Sequence, residues 1–591
     1  MSTSEVLRRT AIAGVAAGGA VVYLCLVGMV ETFNVRNVLG GEAQLSRILL
    51  LGPPFIAAYL ASVPRLRAGK TVGPSVPAAV GSGAGVGAIS GAIVALGIGL
   101  VNLLGQTAVM NVFRSVTFAL MQIVTFQRST VAGTVVLVAL SIVAGLIGGA
   151  LGSVRRPLRV PVLVGLIVVL ALGGLQTIVR PALSQLGMDT TWLYSTTFGG
   201  LTYLGGILGL VVGAAASAAW IARKERERAT PPAEETGSKG PKVPRGILIG
   251  LPAAIVLLAL PLLLGTFLSA VLGAIGIFLL MALGLNIVVG YAGLLDLGYV
   301  AFFAVGAYAL AVLTAAPTSG SSIHPQLPFL VAIPVVVVIA VATGLLIGGP
   351  VLRLRGDYLA IVTLGFGEIA RVLVTSDWLR SFLGGAQGLI AIPAPQLNLG
   401  GWHVDFRDPQ PFYYLVLAFC AVAVFVSWRL ANSRIGRAWN AMREDEQVAE
   451  AMGVSTVRYK LLAFGTGAAI GSLSGALFAV QIGSLSPASF VIFVSIQALA
   501  IIILGGMGSI PGVVLGAVVL VGLPGFLTEF AEFQPLIFGA VIVGIMILRP
   551  QGLIPNVRRM RELHEEERAQ DEWTAARGET PPITVGGEAT S

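Results

Sequence analysis

The chain alternates long apolar runs with short polar ones. Six apolar runs come first, at about residues 11–30, 47–63, 78–103, 131–152, 160–179 and 198–221. About ten more follow, at 246–265, 267–290, 298–316, 327–350, 357–376, 411–430, 461–482, 488–506, 511–529 and 533–549. A helix needs about 20 residues to cross roughly 30 Å of hydrocarbon, whereas barrel strands alternate over about ten. The pattern predicts an all-α, polytopic integral membrane protein with about 16 transmembrane helices, about 6 N-terminal and about 10 C-terminal.

Composition agrees with this class. Of the 591 residues, 56% are hydrophobic and only 11% are charged, whereas soluble domains carry roughly a quarter charged residues. The net charge of +9 does not indicate a nucleic-acid partner. Most of the basic residues fall in loops that the span pattern places on one side, as the positive-inside rule describes. We therefore expect a lipid bilayer around the chain, no nucleic acid, and both termini in the cytoplasm.

Composition also divides the chain. The stretch 222–245, ARKERERATPPAEETGSKGPKVPR, is charged, contains Pro and Gly, and lacks aromatic residues, so we expect a flexible cytosolic linker. It separates an N-terminal transmembrane domain, 1–221, from a second membrane domain, 246–555. A polar, partly disordered cytosolic tail is expected over 556–591. The first span continues past Met29 behind a basic pair, which favours a retained helix over a cleaved signal peptide.

One charged segment interrupts the second domain between two apolar spans. This segment, residues 433–461, is called the island below and reads SRIGRAWNAMREDEQVAEAMGVSTVRYKL. Its apolar residues recur at helical spacing and predict a single stripe on a short docking helix around 441–453: Met442, Val448, Ala449 and Met452. Gly453 is a candidate left-handed stop, and Ser455 is a candidate N-cap for the next span.

The sequence offers no catalytic machinery. Nothing matches G-x-x-x-x-G-K-[ST], so ATP would have to be hydrolysed on another chain. The string GAGVGAIS from Gly83 lies inside a span with no strand before it, so we interpret it as small residues at a helix contact. Two cysteines, both inside spans, and three scattered histidines give no metal-ligand spacing. We expect a chain that is not an enzyme and that holds no metal or other cofactor.

Two groups of polar residues lie in or beside the later spans. Asp296 is surrounded by glycines that would weaken a continuous helix, and Glu368 and Arg371 are spaced to form an ion pair on one helix face. An unpaired charge at the bilayer centre costs at least about 2.5–3.5 kcal/mol, so such groups pair or face a water-filled path. Either they line a pathway, or they lie at the interface, with Asp296 in a simple cytosolic turn.

Two glycine clusters allow two interpretations. GGAQG, 384–388, lies in the predicted external loop 377–410, and LGGMGSIPG, 504–512, separates two late spans. Glycines let backbone groups face a ligand, and they also permit tight turns.

Five segments of the second domain, in order, closely resemble the LivM-type permeases of branched-chain amino-acid ABC transporters. They are GYAGLLDLGYVAFFAVGAYA, LRLRGDYLAIVTLGFGEIARVL, GGAQGL, the island, and LAIIILGGMGSIPGVVLGA. The resemblance covers roughly 246–555, a little over half of the chain. Residues 1–221 lie outside it and form an extra membrane domain whose role is open; recruitment of other proteins is one candidate.

The resemblance implies roles for individual residues. The island would be the coupling helix that fits a groove on an ATPase subunit, with a polar rim of Arg443, Glu444, Asp445 and Glu446 and an apolar tip of Ala451, Met452 and Gly453. The candidate translocation pathway comprises Tyr291, Gly293, Asp296, Gly365, Gly367, Glu368 and Arg371. The candidate contact with a binding protein comprises Gly384, Gly385 and Gly388.

The function that this resemblance implies is ATP-driven import of branched-chain or related amino acids across a bacterial inner membrane. The expected partners are a second, LivH-like permease or a second copy of this chain, two ATP-binding subunits, and an extracytoplasmic amino-acid-binding protein. The alternative is a self-sufficient secondary transporter or channel for amino acids or small amides.

Overall fold

The computed structural model describes residues 3–229, except 42, 68–69, 73–74 and 186, and residues 245–554, except 317–320, 323–324, 352–355, 400–401 and part of 527–551. The chain forms two compact units, Met1–Pro244 and Arg245–Ser591. Both units are almost entirely helical. Three two-stranded antiparallel hairpins are the sheets of the described residues.

Unit 1 contains ten helices in its described residues. They are α1 (Thr3–Leu26), α2 (Met29–Thr32), α3 (Leu45–Ser62), α4 (Val76–Leu104), α5 (Gln106–Val112), α6 (Phe118–Val124), α7 (Thr130–Ser153), α8 (Arg156–Gly174), α9 (Gln176–Gln185) and α10 (Tyr203–Ala229). Its hairpins pair β1 (Asn37–Leu39) with β2 (Ala43–Gln44), and β3 (Arg65–Arg67) with β4 (Lys70–Val72). Six of these helices are long and apolar enough to cross a membrane.

Glycines bring α4 and α7 into backbone contact. A Cβ at Gly87 would overlap the carbonyl oxygen of Ser141, and a Cβ at Gly145 would overlap that of Gly83. In lipid, where apolar burial does not drive helix association, small residues at the interface allow close packing. The glycine string from Gly83 is therefore a helix contact, as the sequence predicts.

The end of unit 1 differs from the predicted linker. Helix α10 continues to Ala229, so the first eight residues of the predicted linker, 222–229, are helical. The sequence ARKERERA consists almost wholly of strong helix formers, which extend the preceding span. The rest of the predicted linker, 230–244, and the tail, 556–591, lie outside the described residues.

Unit 2 contains twelve α-helices in its described residues. They are α11 (Arg245–Leu285), α12 (Val300–Thr314), α13 (Phe329–Val351), α14 (Asp357–Thr375), α15 (Arg380–Leu383), α16 (Pro409–Ala431), α17 (Arg434–Glu444), α18 (Glu446–Ala451), α19 (Thr456–Ile482), α20 (Ile492–Gly505), α21 (Ile510–Ala517) and α22 (Leu523–Phe526). Two π-helical segments occur, Asn286–Tyr291 after α11 and Val518–Gly522 after α21. The third hairpin pairs β5 (Gln396–Leu399) with β6 (Trp402–Asp405).

The predicted fold class is confirmed. Twelve described helices are long and apolar enough to cross a membrane, six in each unit, and two shorter apolar helices, Val300–Thr314 and Ile510–Gly525, add to unit 2. The predicted spans 246–265 and 267–290 form one continuous element, kinked at Gly265 where the backbone is non-helical. Most of the predicted last span, 533–549, lies outside the described residues.

Two long helices form the centre of unit 2. The second half of α11 and most of α19 are buried, in contrast to the more exposed α13, α14 and α16. Helix α12 packs on α19 so closely that a Cβ at Gly475 would overlap the carbonyl oxygen of Phe303. Phe303 also packs on Phe478 and Phe490, with ring centroids 5.0 and 5.7 Å away.

The glycine contact in α19 predicts a position-specific loss of stability. Replacing Gly475 by Ala would force α12 and α19 apart, and overpacking of this kind costs about 1–3 kcal/mol. Gly465 on the same helix has only side-chain atoms, 3.7 Å and further away, near a new Cβ. We expect Gly475→Ala to lower the thermal unfolding midpoint of the purified protein and Gly465→Ala to leave it near wild type. Equal midpoints for the two variants would contradict this packing.

Candidate coupling surface and translocation site

The island folds as two short helices, not as the single helix that the sequence predicts. Helix α17 begins after Ser433, whose hydroxyl accepts a hydrogen bond from the Ile435 N–H at 3.1 Å. The chain is extended at Asp445 (φ −153°, ψ 112°). The Asp445 carboxylate then accepts bonds from the N–H groups of Gln447 and Val448, at 2.8 and 3.0 Å. Asp445 is therefore the N-cap of α18, and a cap restarts a helix in a new direction.

The break at Asp445 divides the predicted apolar stripe. Met442 and Ala449 are buried against unit 2, whereas Val448 is 58% and Met452 is 80% exposed. The prediction of one continuous stripe is therefore wrong, because the two helices present different faces. Gly453 has a φ of +88° and follows the end of α18, as the predicted left-handed stop. Ser455 occupies the N-cap position of α19.

Trp439 anchors the island and was not singled out from the sequence. Its side chain is fully buried, and its indole Nε1–H donates to the carbonyl oxygen of Tyr459 at 2.8 Å. A buried indole requires such an acceptor. The signal that could have identified it is its position three residues before Met442, on the same helix face.

Two residues of the predicted polar rim point into unit 2. The Lys460 side chain is 4% exposed, and its Nζ lies 2.6 Å from Oε1 of Glu446. Nη1 of Arg443 donates to the carbonyl oxygen of Gly290 at 2.5 Å. Arg443 and Glu446 therefore do not form an outer rim as the resemblance implied. Arg443 turns inward to the carbonyl oxygen at a helix end, and Glu446 turns inward to a buried lysine.

The remaining predicted coupling residues stay at the surface, and Val448 and Glu450 are exposed beside them. We call the combined set the outer surface of the island: Glu444, Asp445, Val448, Glu450, Ala451, Met452 and Gly453, all of them exposed. It combines two large exposed apolar side chains, Val448 and Met452, with three carboxylates. Apolar groups rimmed by charge are typical of a protein-interaction site.

A tight turn joins the π-helical segment to α12 and holds Asp296. Tyr291 is buried at the end of the π segment, and Gly293 has a φ of +72°. Asp296 is 2% exposed, and its Oδ1 accepts a bond from the Gly298 N–H at 2.9 Å. Among the described residues its Oδ2 has no hydrogen-bond partner.

The turn is wedged against α14. The Leu297 N–H donates to Oγ1 of Thr363 at 3.1 Å, and a Cβ at Gly298 would overlap the Thr363 carbonyl oxygen. Gly367 faces the same contact, whereas Gly365 has open space around it. Asp296 thus has a structural task in building a turn, and its part in a pathway stays a prediction.

Glu368 and Arg371 form the ion pair that their spacing suggests. Nε of Arg371 lies 2.8 Å from Oε1 of Glu368, and the side chains are 49% and 37% exposed. The pair lies within the membrane-length span Tyr358–Thr375, on the side of α14 that faces away from unit 2. Ile361 and Val372 on that side are 64% and 53% exposed. Charge on such a face is expensive in lipid.

The glycines of the predicted external loop build turns. Gly384, Gly385 and Gly388 have φ values of +78°, +60° and +72°, and a Cβ at Gly388 would overlap the carbonyl oxygen of Leu485. Leu389 and Leu485 exchange backbone bonds of 3.0 and 2.7 Å, which pin the loop. Contact with a binding protein stays a prediction for these residues.

The second glycine cluster, 504–512, allows two backbone segments to approach closely. A Cβ at Gly505 would overlap the Gly512 carbonyl oxygen, and the Gly508 N–H donates to Oδ1 of the buried Asn286 at 2.9 Å. No three His, Cys, Asp or Glu side chains come together as a metal site in the part of the chain that the structure describes.

Comparison with known proteins identifies relatives of unit 2. Residues 267–549, which contain every candidate site residue, match the family of the branched-chain amino acid transport system permease component. LivM of Salmonella typhimurium, a high-affinity branched-chain amino acid permease protein, is 42% identical over 306 residues, or 49% of this chain and 70% of the relative. LivM of Methanocaldococcus jannaschii is 26% identical over 329 residues, with shares of 49% and 93%. LivH of Escherichia coli is 27% identical over 201 residues, with shares of 31% and 63%. No solved structure matches significantly.

The Glu446–Lys460 pair predicts a loss of stability that depends on position. Replacing Glu446 by Ala leaves the buried Lys460 ammonium without this partner, and breaking such a pair costs on the order of 3 kcal/mol. Glu450→Ala, four residues later on the exposed face, is the matched control. We expect a lower thermal unfolding midpoint for Glu446→Ala only, with recovery when Lys460→Met is added. A similar midpoint for both single variants would show that the pair contributes nothing.

Proposed function

We propose, since this chain belongs to the branched-chain amino acid transport permease family, that it is a transmembrane subunit of an ATP-driven importer for branched-chain or related amino acids. The observation that carries this proposal is the 42% identity to LivM over 306 residues. The importer would lie in the bacterial inner membrane. ATP hydrolysis would occur on separate subunits, because the sequence has no phosphate-binding loop.

The outer surface of the island is the proposed contact with those ATPase subunits. Val448 and Met452 expose apolar surface, whereas Met442 and Ala449, the other two residues of the predicted stripe, are buried. An exposed apolar centre with a charged rim has the anatomy of a protein–protein contact. From the positive-inside rule, we infer that the island and both termini lie on the cytoplasmic side.

The exposed face of α14 is the proposed contact with a second permease subunit. Glu368 and Arg371 would face lipid if unit 2 stood alone, at a cost that an aqueous path between two permeases removes. The match to LivH as well as to LivM supports a pair of related permeases. On this proposal Gly365, which has open space around it, leaves room beside the path, and Gly367 packs against the turn at Gly298. The turn at Gly384–Gly388, in the predicted external loop, receives the amino-acid-binding protein.

Unit 1 lies outside the family match and is proposed to be an accessory membrane domain. The transport function is assigned to unit 2 alone. We therefore expect a chain that lacks residues 1–221 to transport at the wild-type rate.

Reconstitution tests the proposed function against its rival. The chain is purified with its co-expressed partner subunits, and liposomes are loaded with ATP before labelled leucine is added with the binding protein. We expect uptake that requires ATP and disappears when the ATPase subunits are omitted. Ion-driven uptake by this chain alone would instead establish a secondary transporter.

The outer surface predicts a specific docking defect. Replacing Met452 by Asp puts a charge at the centre of the proposed contact, where truncation of a central residue commonly costs 2 kcal/mol or more, so co-purification of ATPase subunits should fall at least about tenfold. Ala441→Asp adds the same charge on an exposed position of α17, before the break at Asp445. We expect that control to retain the ATPase subunits. Normal retention by Met452→Asp would remove the outer surface from the docking contact.

A further inference from the structure

The buried end of α11 is held by a residue of the island. The long span Gly265–Tyr291 ends in a π-helical turn, Asn286–Tyr291. The last carbonyl groups of any helix have no partner within that helix. Here the guanidinium of Arg443 donates to one of them, the carbonyl oxygen of Gly290, at 2.5 Å. A cation at a helix C-terminus also complements the helix dipole.

The same side chain packs on the turn that follows. A Cβ at Gly293 would lie 2.8 Å from Cγ and 3.1 Å from Cβ of Arg443. Gly293 is therefore both the left-handed residue of the turn and the surface on which the arginine stem rests. Arg443 thus contacts the π segment through its guanidinium group and the turn through its aliphatic carbons.

The π segment has the features of an element with two arrangements. It is rare among helices, and π turns inside spans are often found at functional sites. The segment contains the fully buried Asn286, whose Oδ1 is used by the Gly508 N–H while its Nδ2 has no hydrogen-bond partner in the described residues. Asp296 in the adjoining turn has one unpartnered oxygen as well. Unpaired buried polar atoms are costly, so a rearrangement that pairs them would recover that cost.

Contacts beyond the turn continue to α14. The Leu297 N–H donates to the hydroxyl of Thr363, which lies on the buried side of that helix. On the other side, the Val300 N–H bonds Oγ of Ser495 at 2.8 Å, and the Tyr299 hydroxyl donates to the Gly467 carbonyl oxygen at 2.6 Å. A displacement of the turn would therefore be felt by α14, α19 and α20.

We propose that Arg443 is a positioning residue that transmits movement of the island to the π-helical end of α11 and the 292–298 turn, and does not itself dock the ATPase. This inference rests on the proposed function and adds the route by which an ATPase outside the membrane would act on the pathway. Contiguous contacts define the route, and coupling along it requires a measurement of its own.

The test uses the complete complex with partner subunits and compares Arg443→Ala with Arg458→Ala. Arg458 is exposed on the island, so its removal takes away the same charge without touching α11. Three quantities are measured: co-purification of ATPase subunits, ATP hydrolysis, and leucine taken up per ATP hydrolysed. We expect Arg443→Ala to keep docking and hydrolysis but to lose about tenfold in uptake per ATP, the size of an ordinary coupling free energy. Arg458→Ala should match wild type in all three.

A labelling experiment reports on the turn directly. Leu295 is 36% exposed in the turn, so a Leu295→Cys variant can be labelled with a maleimide, with correction for Cys25 and Cys420 from the parent chain. With Arg443 present, we expect the labelling rate to differ between nucleotide-free complex and complex bound to a non-hydrolysable ATP analogue. With Arg443→Ala, the two rates should become equal. Rates that still differ to the wild-type extent would overturn the proposal.

The outcomes separate this inference from the proposed function. Absence of ATP-driven uptake by the wild-type complex refutes the function itself. Normal uptake per ATP by Arg443→Ala, or loss of ATPase docking in that variant, refutes only the transmitting role. If Arg443→Ala is not recovered in membranes, Arg443→Lys decides, because a lysine donates to one carbonyl without the planar fork of the guanidinium. Uptake per ATP between that of wild type and zero is expected for it, and a wild-type ratio overturns the proposal.

Discussion

Unit 2 depends on how the backbone is satisfied where α11 stops being a helix. Within a membrane every backbone polar group must find a partner inside the protein. Backbone groups of the π segment, the turn and the start of α12 find theirs on three elements: Arg443 of α17, Thr363 of α14 and Ser495 of α20. The Tyr299 hydroxyl adds a bond to the Gly467 carbonyl oxygen of α19. A broken helix end therefore becomes the point at which the island and three spans are joined.

Charge distribution separates the roles of the remaining polar groups. Lys460 of α19 pairs with Glu446 of α18 and so fixes α18 to α19. Glu368 and Arg371 pair on a face of α14 that unit 2 leaves uncovered. The acidic residues of the outer surface lie on a segment that also exposes Val448 and Met452. In the proposed function the Lys460–Glu446 pair holds the island in place, the Glu368–Arg371 pair lines a path, and the outer surface contacts an ATPase.

The sequence predicted the parts of the structure that follow from periodicity and composition. Apolar length gave the spans and the fold class, and the spacing of Glu368 and Arg371 gave their pairing. It did not predict the break at Asp445, because the same carboxylate that suits an exposed helix position also caps a new helix when the chain turns extended. The inward directions of Arg443 and Glu446 depend on partners 153 and 14 residues away, which no local pattern encodes. The burial of Trp439 depends likewise on the Tyr459 carbonyl.

The central claim is that the outer surface of the island meets an ATP-binding subunit while its inner side stays within the permease. Site-specific photo-crosslinking at position 452 in the assembled complex tests it most directly, with position 439 as the inward-facing comparison. The account predicts a covalent product between residue 452 and an ATP-binding subunit, and only intramolecular products from residue 439. Absence of an ATPase product at 452, in a complex that carries out ATP-driven uptake, would contradict it.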